Sequence, residues 1–134
     1  LPEGEVVVST DSRSQGESVH ETGDGRISSL PLVVLVGSGT ASAAEILAAA
    51  LADNGDATIV GSRSFGKGVF QEEQPLANGG ALKLTVGEYF TPEGVNLAES
   101  RGIHPDVKVK GAAATPADEV EERGLELLAA RVGS

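Results

Sequence analysis

The chain has 134 residues, with 10 Lys and Arg against 20 Asp and Glu, a formal net charge of −10 and a pI near 4.5. That length allows one domain with a modest core, and the acidic excess repels a phosphate backbone, which argues against a general nucleic-acid role. The absence of Cys excludes disulfides, thiolate zinc sites and cysteine nucleophiles while leaving the redox compartment open.

The start, Leu1-Pro2-Glu3-Gly4-Glu5, has neither the basic end nor the apolar middle of a signal peptide. With no initiator Met and a Val run entered almost at once, it predicts a longer protein cut upstream. Residues 6–9 read as a short strand, and 11–29 as an exposed polar loop or hairpin excursion. The continuous apolar run at 31–36 predicts a strand covered on both faces in a mostly parallel sheet. Gly37-Ser38-Gly39-Thr40 breaks it, and 41–53 forms a helix with Ile46, Leu47, Ala50 and Leu51 along one stripe. Asn54-Gly55 ends that helix, and 57–61 is the next strand, so 31–61 is a strand-helix-strand parallel crossover.

The loop at 62–68 leads to two strands, 69–75 and 81–90, predicted to pair as a hairpin around Ala77-Asn78-Gly79-Gly80. After the turn Thr91-Pro92-Glu93-Gly94 the chain is irregular to Ser100, with a short strand at 107–109. Residues 111–114 read as a small-residue linker. A final helix starts at Thr115-Pro116-Ala117-Asp118; Val120, Leu127, Leu128 and Val132 are its docking positions, and Gly124 weakens it. The acidic run 118–122 is a solvated face that suits the helix dipole. The class these elements point to is α/β or α+β.

Ser42 stands at the start of the helix that follows the buried strand, where unpaired amides and the positive end of the helix dipole can stabilise an oxyanion. The same residues, Ser42-Ala43-Ala44-Glu45, also fit a capping box, in which the hydroxyl only accepts an amide hydrogen bond. Lys67, in Phe65-Gly66-Lys67-Gly68, lies beyond the next strand at the same end of the sheet. A Lys amine serves a Ser hydroxyl as base only when neutral, which needs apolar surroundings, for which Phe65, Val69 and Phe70 are the candidates. On its own Lys67 reads equally as a surface charge or an anion clamp. Gly-Lys-Gly lacks the glycine run before and the hydroxyl after that a phosphate loop requires.

Gln71, four residues beyond Lys67, shares its face on an extended strand and can orient the Lys67 amine, or simply face solvent. His20 and His104 have no partner at metal-ligand spacing, and Asp106 forms no motif with His104. Asp53 is three helical turns from Ser42, roughly 16 Å along the axis, too far for a direct triad.

Four blocks, taken jointly, resemble a known family. They are residues 38–46 (SGTASAAEI), 60–71 (VGSRSFGKGVFQ), Leu82-Lys83-Leu84-Thr85 with Tyr89-Phe90-Thr91-Pro92-Glu93-Gly94, and Gly102-Ile103-His104-Pro105-Asp106. In order and spacing they look like the C-terminal-processing, or tail-specific, serine proteases. The resemblance implies Ser42 as nucleophile, Lys67 as general base, Gln71 as the residue positioning the lysine, and the Ala43 amide as an oxyanion donor. Asp53 would match an acidic position with a structural or indirect role. The implied reaction is acyl transfer near the C-terminus of protein substrates, with no metal or cofactor. Two positions depart from the family pattern: Gly37, where Asn or a similar residue is usual, and Ala44, where a small hydroxyl is usual.

The resemblance also implies a partial ClpP/crotonase-like α/β core, with residues 1–110 as its C-terminal portion and 111–134 as linker and helix. It implies an upstream PDZ module, an upstream core segment with an Arg-x-Asn-x-Gly-Gly stretch, and an extracytoplasmic location such as periplasm, cell envelope or plastid lumen. The readings from other classes are a non-catalytic scaffold or peptide-binding domain in which Ser42 is only a helix cap, and an enzyme of the same fold acting on an acyl thioester.

Overall fold

The apolar run after Pro31 becomes β3 (Leu32–Val36), following β1 (Val6–Ser12) and β2 (Gly16–Glu21) in the chain. A computed structural model describes residues 1–24, 29–109 and 117–132. From β3 the chain crosses through α1 (Ala43–Asp53) to β4 (Ala57–Gly61), which pairs parallel with β3 from Leu32 opposite Ala57 to Val36 opposite Gly61. The short β7 (Val107–Lys108) adds parallel to the other edge of β4, placing Gly61 opposite Lys108. All three strands therefore finish at one edge of the sheet.

Alternation along β3 divides its side chains between two layers. Val34 and Val36 pack with Ala48 and Ala49 of α1, Ile59 of β4, and Leu97 and Ile103, which together form the core. Val33 and Leu35 face the opposite side, where α2 (Ala117–Val132) lies. The helix touches the sheet at buried Gly124, where an added Cβ would stand 2.8 Å from Leu35 Cδ2. The residue that lowers helix propensity is thus the one that lets α2 approach closely.

The remaining strands form a second, antiparallel sheet in the order β2, β1, β6 (Ala81–Phe90), β5 (Val69–Pro75). Residues 16–21, in the stretch expected as an exposed loop or hairpin excursion, form a hairpin with β1, the chain reversing in a tight turn at Gly16, whose φ is 71°. The β5–β6 hairpin forms as expected, but its outer half is uncovered. Leu82 and Leu84 are each nearly half exposed, and Lys83 between them is exposed as well. Near the core the hairpin packs Phe70 against Tyr89, ring centroids 5.2 Å apart.

The expectation of a ClpP/crotonase-like core is corrected by this division. Among the described residues the strands do not build a single parallel-dominated sheet. Short turns join β1 to β2 and β5 to β6 as hairpins, and hairpins pair antiparallel, so those four strands leave the β3–β4–β7 sheet and make their own. The linker expected at 111–114 lies outside the described residues.

Candidate active site

The site is built where β3 and β4 end. Close backbone contact there demands glycine: Gly61 has φ 134°, and a Cβ on it would fall 1.9 Å from the Val36 carbonyl oxygen. The Ser62 N–H donates to that same carbonyl at 3.1 Å, and the Phe65 N–H to the Thr40 carbonyl at 2.9 Å. The turn after β3 and the loop after β4 are thereby held side by side.

Ser42 is the residue at which strand-side turn becomes helix. Its φ of 57° and ψ of −121° are rare for a residue with a side chain, and such backbone strain is worth about 1–3 kcal/mol. Ser42 and Glu45 stand in the reciprocal arrangement of a capping box, but the hydrogen bonds divide unequally. The Ser42 N–H donates to Glu45 Oε2 at 2.8 Å, while the Glu45 N–H goes to the Ser42 carbonyl oxygen at 2.9 Å, with no cap hydrogen bond to the Ser42 hydroxyl. The half-buried Ser42 side chain thus keeps its place in the capping box without a hydrogen bond that fixes the hydroxyl there.

Glu45 itself is 0% exposed. Its Oε1 accepts from the Ser64 hydroxyl at 2.5 Å and from the Gly66 N–H at 2.7 Å; its Oε2 accepts from Ser42 and from the Lys67 N–H at 2.9 Å. Four donors satisfy one buried carboxylate, the condition under which such a charge is tolerated. Ser64 is buried too, and its Oγ accepts the Ile103 N–H at 2.6 Å, tying the lysine loop to the segment before β7. Gly66 and Gly102 are needed where those segments touch, since a Cβ on Gly66 would lie 2.7 Å from the Arg101 carbonyl carbon.

Ser42 and Lys67 are therefore brought together through their backbones. The Lys67 side chain is exposed, as is Phe65 at 67%, while Val69 and Phe70 are half-buried; the apolar wall expected around the amine is not assembled by these residues. No hydrogen bond joins the Ser42 hydroxyl to the Lys67 amine among the described residues. The N–H of Ala43, the first residue of α1, has no acceptor among the described residues, as an oxyanion donor requires.

Gln71 is exposed and its amide donates to Thr85 Oγ1 across the hairpin at 3.3 Å. Lys67 precedes β5, and the strand register shifts between Phe70 and Gln71, so the four-residue spacing does not put the two on one strand face. Asp53 Oδ2 accepts the Glu93 N–H at 3.3 Å, and Asp106 Oδ2 the Ile59 N–H at 2.8 Å; both fasten loops to the core. Among the described residues no three His, Asp or Glu side chains gather as a metal site would need.

Sequence reasoning read Glu45 only as the partner of a cap and did not single out Ser64. The signal for Glu45 was present in the capping spacing; its other bonds reach residues about twenty positions away and leave no local trace.

The sequence pattern of peptidase family S41 matches residues 1–109. A carboxyl-terminal-processing protease of Synechocystis sp. is 40% identical over 134 residues, 96% of this chain and 31% of the relative. A chloroplastic C-terminal processing peptidase of Tetradesmus obliquus is 42% identical over 106 residues, 79% of this chain and 23% of the relative. The solved structure of a photosystem II D1 C-terminal processing protease superposes with a TM-score of 0.75 at 38% identity, covering 92% of this chain and 32% of that one. The chain thus spans about a third or less of the length of these proteins. The two-sheet arrangement is the one found in that solved protease, which replaces the ClpP/crotonase-like expectation.

Proposed function

Because the chain belongs to peptidase family S41, we propose that it carries the nucleophile and base of a serine-type endopeptidase that cuts protein substrates near their C-termini. Ser42 Oγ attacks the scissile carbonyl carbon while Lys67 Nζ takes its proton. The Ala43 N–H donates to the oxyanion, and Lys67 returns the proton to the leaving amine as the C–N bond breaks. Water then attacks the acyl-enzyme carbonyl, giving its proton to Lys67, which passes it to Ser42 Oγ as the ester C–O bond breaks and the acyl product leaves as a carboxylic acid. Gln71 would position the lysine once its amide turns from Thr85.

The observation that carries this reading is the Glu45 carboxylate, which holds the backbones of Ser42 and Lys67 on one oxygen. The exposed Lys67 amine needs cover to act as a neutral base. We infer that this cover comes from upstream segments of a longer protein, a PDZ module and the first part of the core as the family resemblance implies, with residues 1–110 as the C-terminal portion of that core and 111–134 as linker and helix; the chain spans 31% and 32% of two of its relatives, which leaves room for them. An extracytoplasmic setting fits the chloroplastic relative.

The test is cleavage of a protein with an extended C-terminus by the full-length protein, wild type beside Ser42→Ala and Lys67→Ala. Each substitution is expected to lower kcat by about three orders of magnitude or more. Activity unchanged by both would overturn the dyad. The exposure of Lys67 favours a second reading, a peptide-binding scaffold, in which wild type and Ser42→Ala bind a peptide equally and neither cuts it.

A further inference from the structure

Apart from the clasp made by Glu45, two hydrogen bonds among the described residues join the turn before Ser42 to the loop that carries Lys67. The Ser62 N–H donates to the Val36 carbonyl at 3.1 Å and the Phe65 N–H to the Thr40 carbonyl at 2.9 Å, both from backbone to backbone. Thr40 stands two residues before Ser42, and Phe65 two residues before Lys67. The second bond therefore ties the segment of the nucleophile to the segment of the base close to both. How well it does so depends on where the Thr40 carbonyl points.

The sequence Gly37-Ser38-Gly39-Thr40 is poorly suited to fix that direction by itself. Neither glycine is demanded by space or by a positive φ: a Cβ on Gly37 would find Ser62 Oγ at 4.0 Å, and one on Gly39 would meet nothing within 4 Å. The two add backbone freedom that the folded turn must give up. Half-buried Thr40 closes the turn twice. Its N–H donates to the Gly37 carbonyl at 2.9 Å, and its Oγ1 accepts the Gly37 N–H at 3.1 Å. The hydroxyl is the side-chain half of this reciprocal pair, so a substitution can remove it and leave the backbone half in place.

We propose that Thr40 is a positioning residue for the Ser42–Lys67 pair: its hydroxyl, by holding the Gly37 N–H, aims the Thr40 carbonyl at the Phe65 N–H and so sets how nucleophile and base face each other. This rests on the peptidase reading and deepens it. In this role the hydroxyl acts through the Phe65 bond and touches no reacting atom. A misplacement of about 1 Å between reacting groups lowers a rate by up to about a hundredfold. A turn that loses its hydroxyl but keeps its backbone bond gives up part of that.

The experiment measures cleavage and amide hydrogen exchange in the full-length protein. Thr40→Val keeps the shape and removes the acceptor, and is expected to lower kcat about tenfold with KM within about twofold of wild type. Thr40→Ser keeps the hydroxyl and is expected to stay within about twofold in both. Thr22→Val is the stability control, since it removes another half-buried hydroxyl that accepts a backbone N–H, that of Glu5 at 3.0 Å, and is expected to leave kcat in place. Adding Gly39→Ala to Thr40→Val stiffens the turn where a methyl meets nothing, and is expected to restore kcat by about threefold. Exchange over residues 62–68 is expected to quicken in Thr40→Val and not in Thr22→Val. Wild-type kcat in Thr40→Val, or wild-type exchange over 62–68, overturns the proposal. An equal loss of kcat in Thr40→Val and Thr22→Val overturns it too, as a loss of stability alone, and so does a Gly39→Ala addition that restores nothing, since a hydroxyl acting directly on substrate would behave that way. If wild type and Ser42→Ala cut at the same rate, the peptidase reading fails, while exchange still decides whether the Thr40 hydroxyl holds the lysine loop.

Discussion

The backbone amides of Ser42 and Lys67 converge on a single atom, Glu45 Oε2, at 2.8 and 2.9 Å, so the two nitrogens are no farther apart than those bonds laid end to end. A Gln at position 45 keeps the shape but removes the charge and, in either amide orientation, sets its NH2 group against two of the four donors in a fully buried place. Glu45→Gln is expected to destabilise the fold by about 2–3 kcal/mol and to lower kcat more than it raises KM. Urea unfolding and peptide cleavage check the two parts; an unchanged unfolding midpoint would contradict the clasp.

Ser64 extends that clasp to the next segment. Ser64→Ala removes the donor to Glu45 Oε1 and leaves the buried Ile103 N–H without its acceptor. The expected loss is about 1–3 kcal/mol, read as a melting temperature lower by roughly 3–5 °C per kcal/mol at this size. A melting temperature equal to wild type would mean that the hydroxyl contributes nothing.

Backbone strain at Ser42 separates its two roles. Ser42→Ala and Ser42→Gly both remove the nucleophile and are expected to be inactive, but glycine adopts φ 57° without the steric cost. Ser42→Gly is therefore expected to be more stable than Ser42→Ala by about 1 kcal/mol, measured by chemical denaturation. Equal stabilities would place no strain at this turn.

Two glycines distinguish a contact that can yield from one that cannot. At Gly61 an added methyl meets the Val36 backbone carbonyl, so Gly61→Ala is expected to cost several kcal/mol or prevent folding. At Gly124 the methyl meets the end of the Leu35 side chain, itself 45% exposed and free to rotate away. There the helix gains about 0.5–1 kcal/mol from alanine, and Gly124→Ala is expected to lie within about 1 kcal/mol of wild type. Circular dichroism melting of both variants makes the comparison; equal losses would mean that α2 is locked against β3.

The crossover from β3 through α1 to β4 was legible because each element announces itself within a few residues: an unbroken apolar run, an Ala-rich stripe ending at Asn54-Gly55, and a second apolar run. The β5–β6 hairpin was legible for the same reason, from alternation on both sides of Asn78-Gly79-Gly80. The strand at 16–21 was legible only as one of two alternatives, loop or hairpin, since its polar residues pair with β1 without burying an apolar face. The partner of Gln71 was not legible: one register shift after Phe70 overturns a face assignment made from spacing alone.

What the sequence by itself determined, then, is local: which stretches are strand or helix, that Ser42 opens a helix after a buried strand, and that Lys67 follows the next one. Only the tertiary structure decided that Glu45, besides its place in the capping box, clasps both residues, and that the strands part into two sheets. The reason is physical. Helix and strand periodicity arise from neighbours within a turn or a pleat, whereas a buried carboxylate takes its donors from whatever segments the packed strands bring to it, at sequence separations that no local pattern encodes.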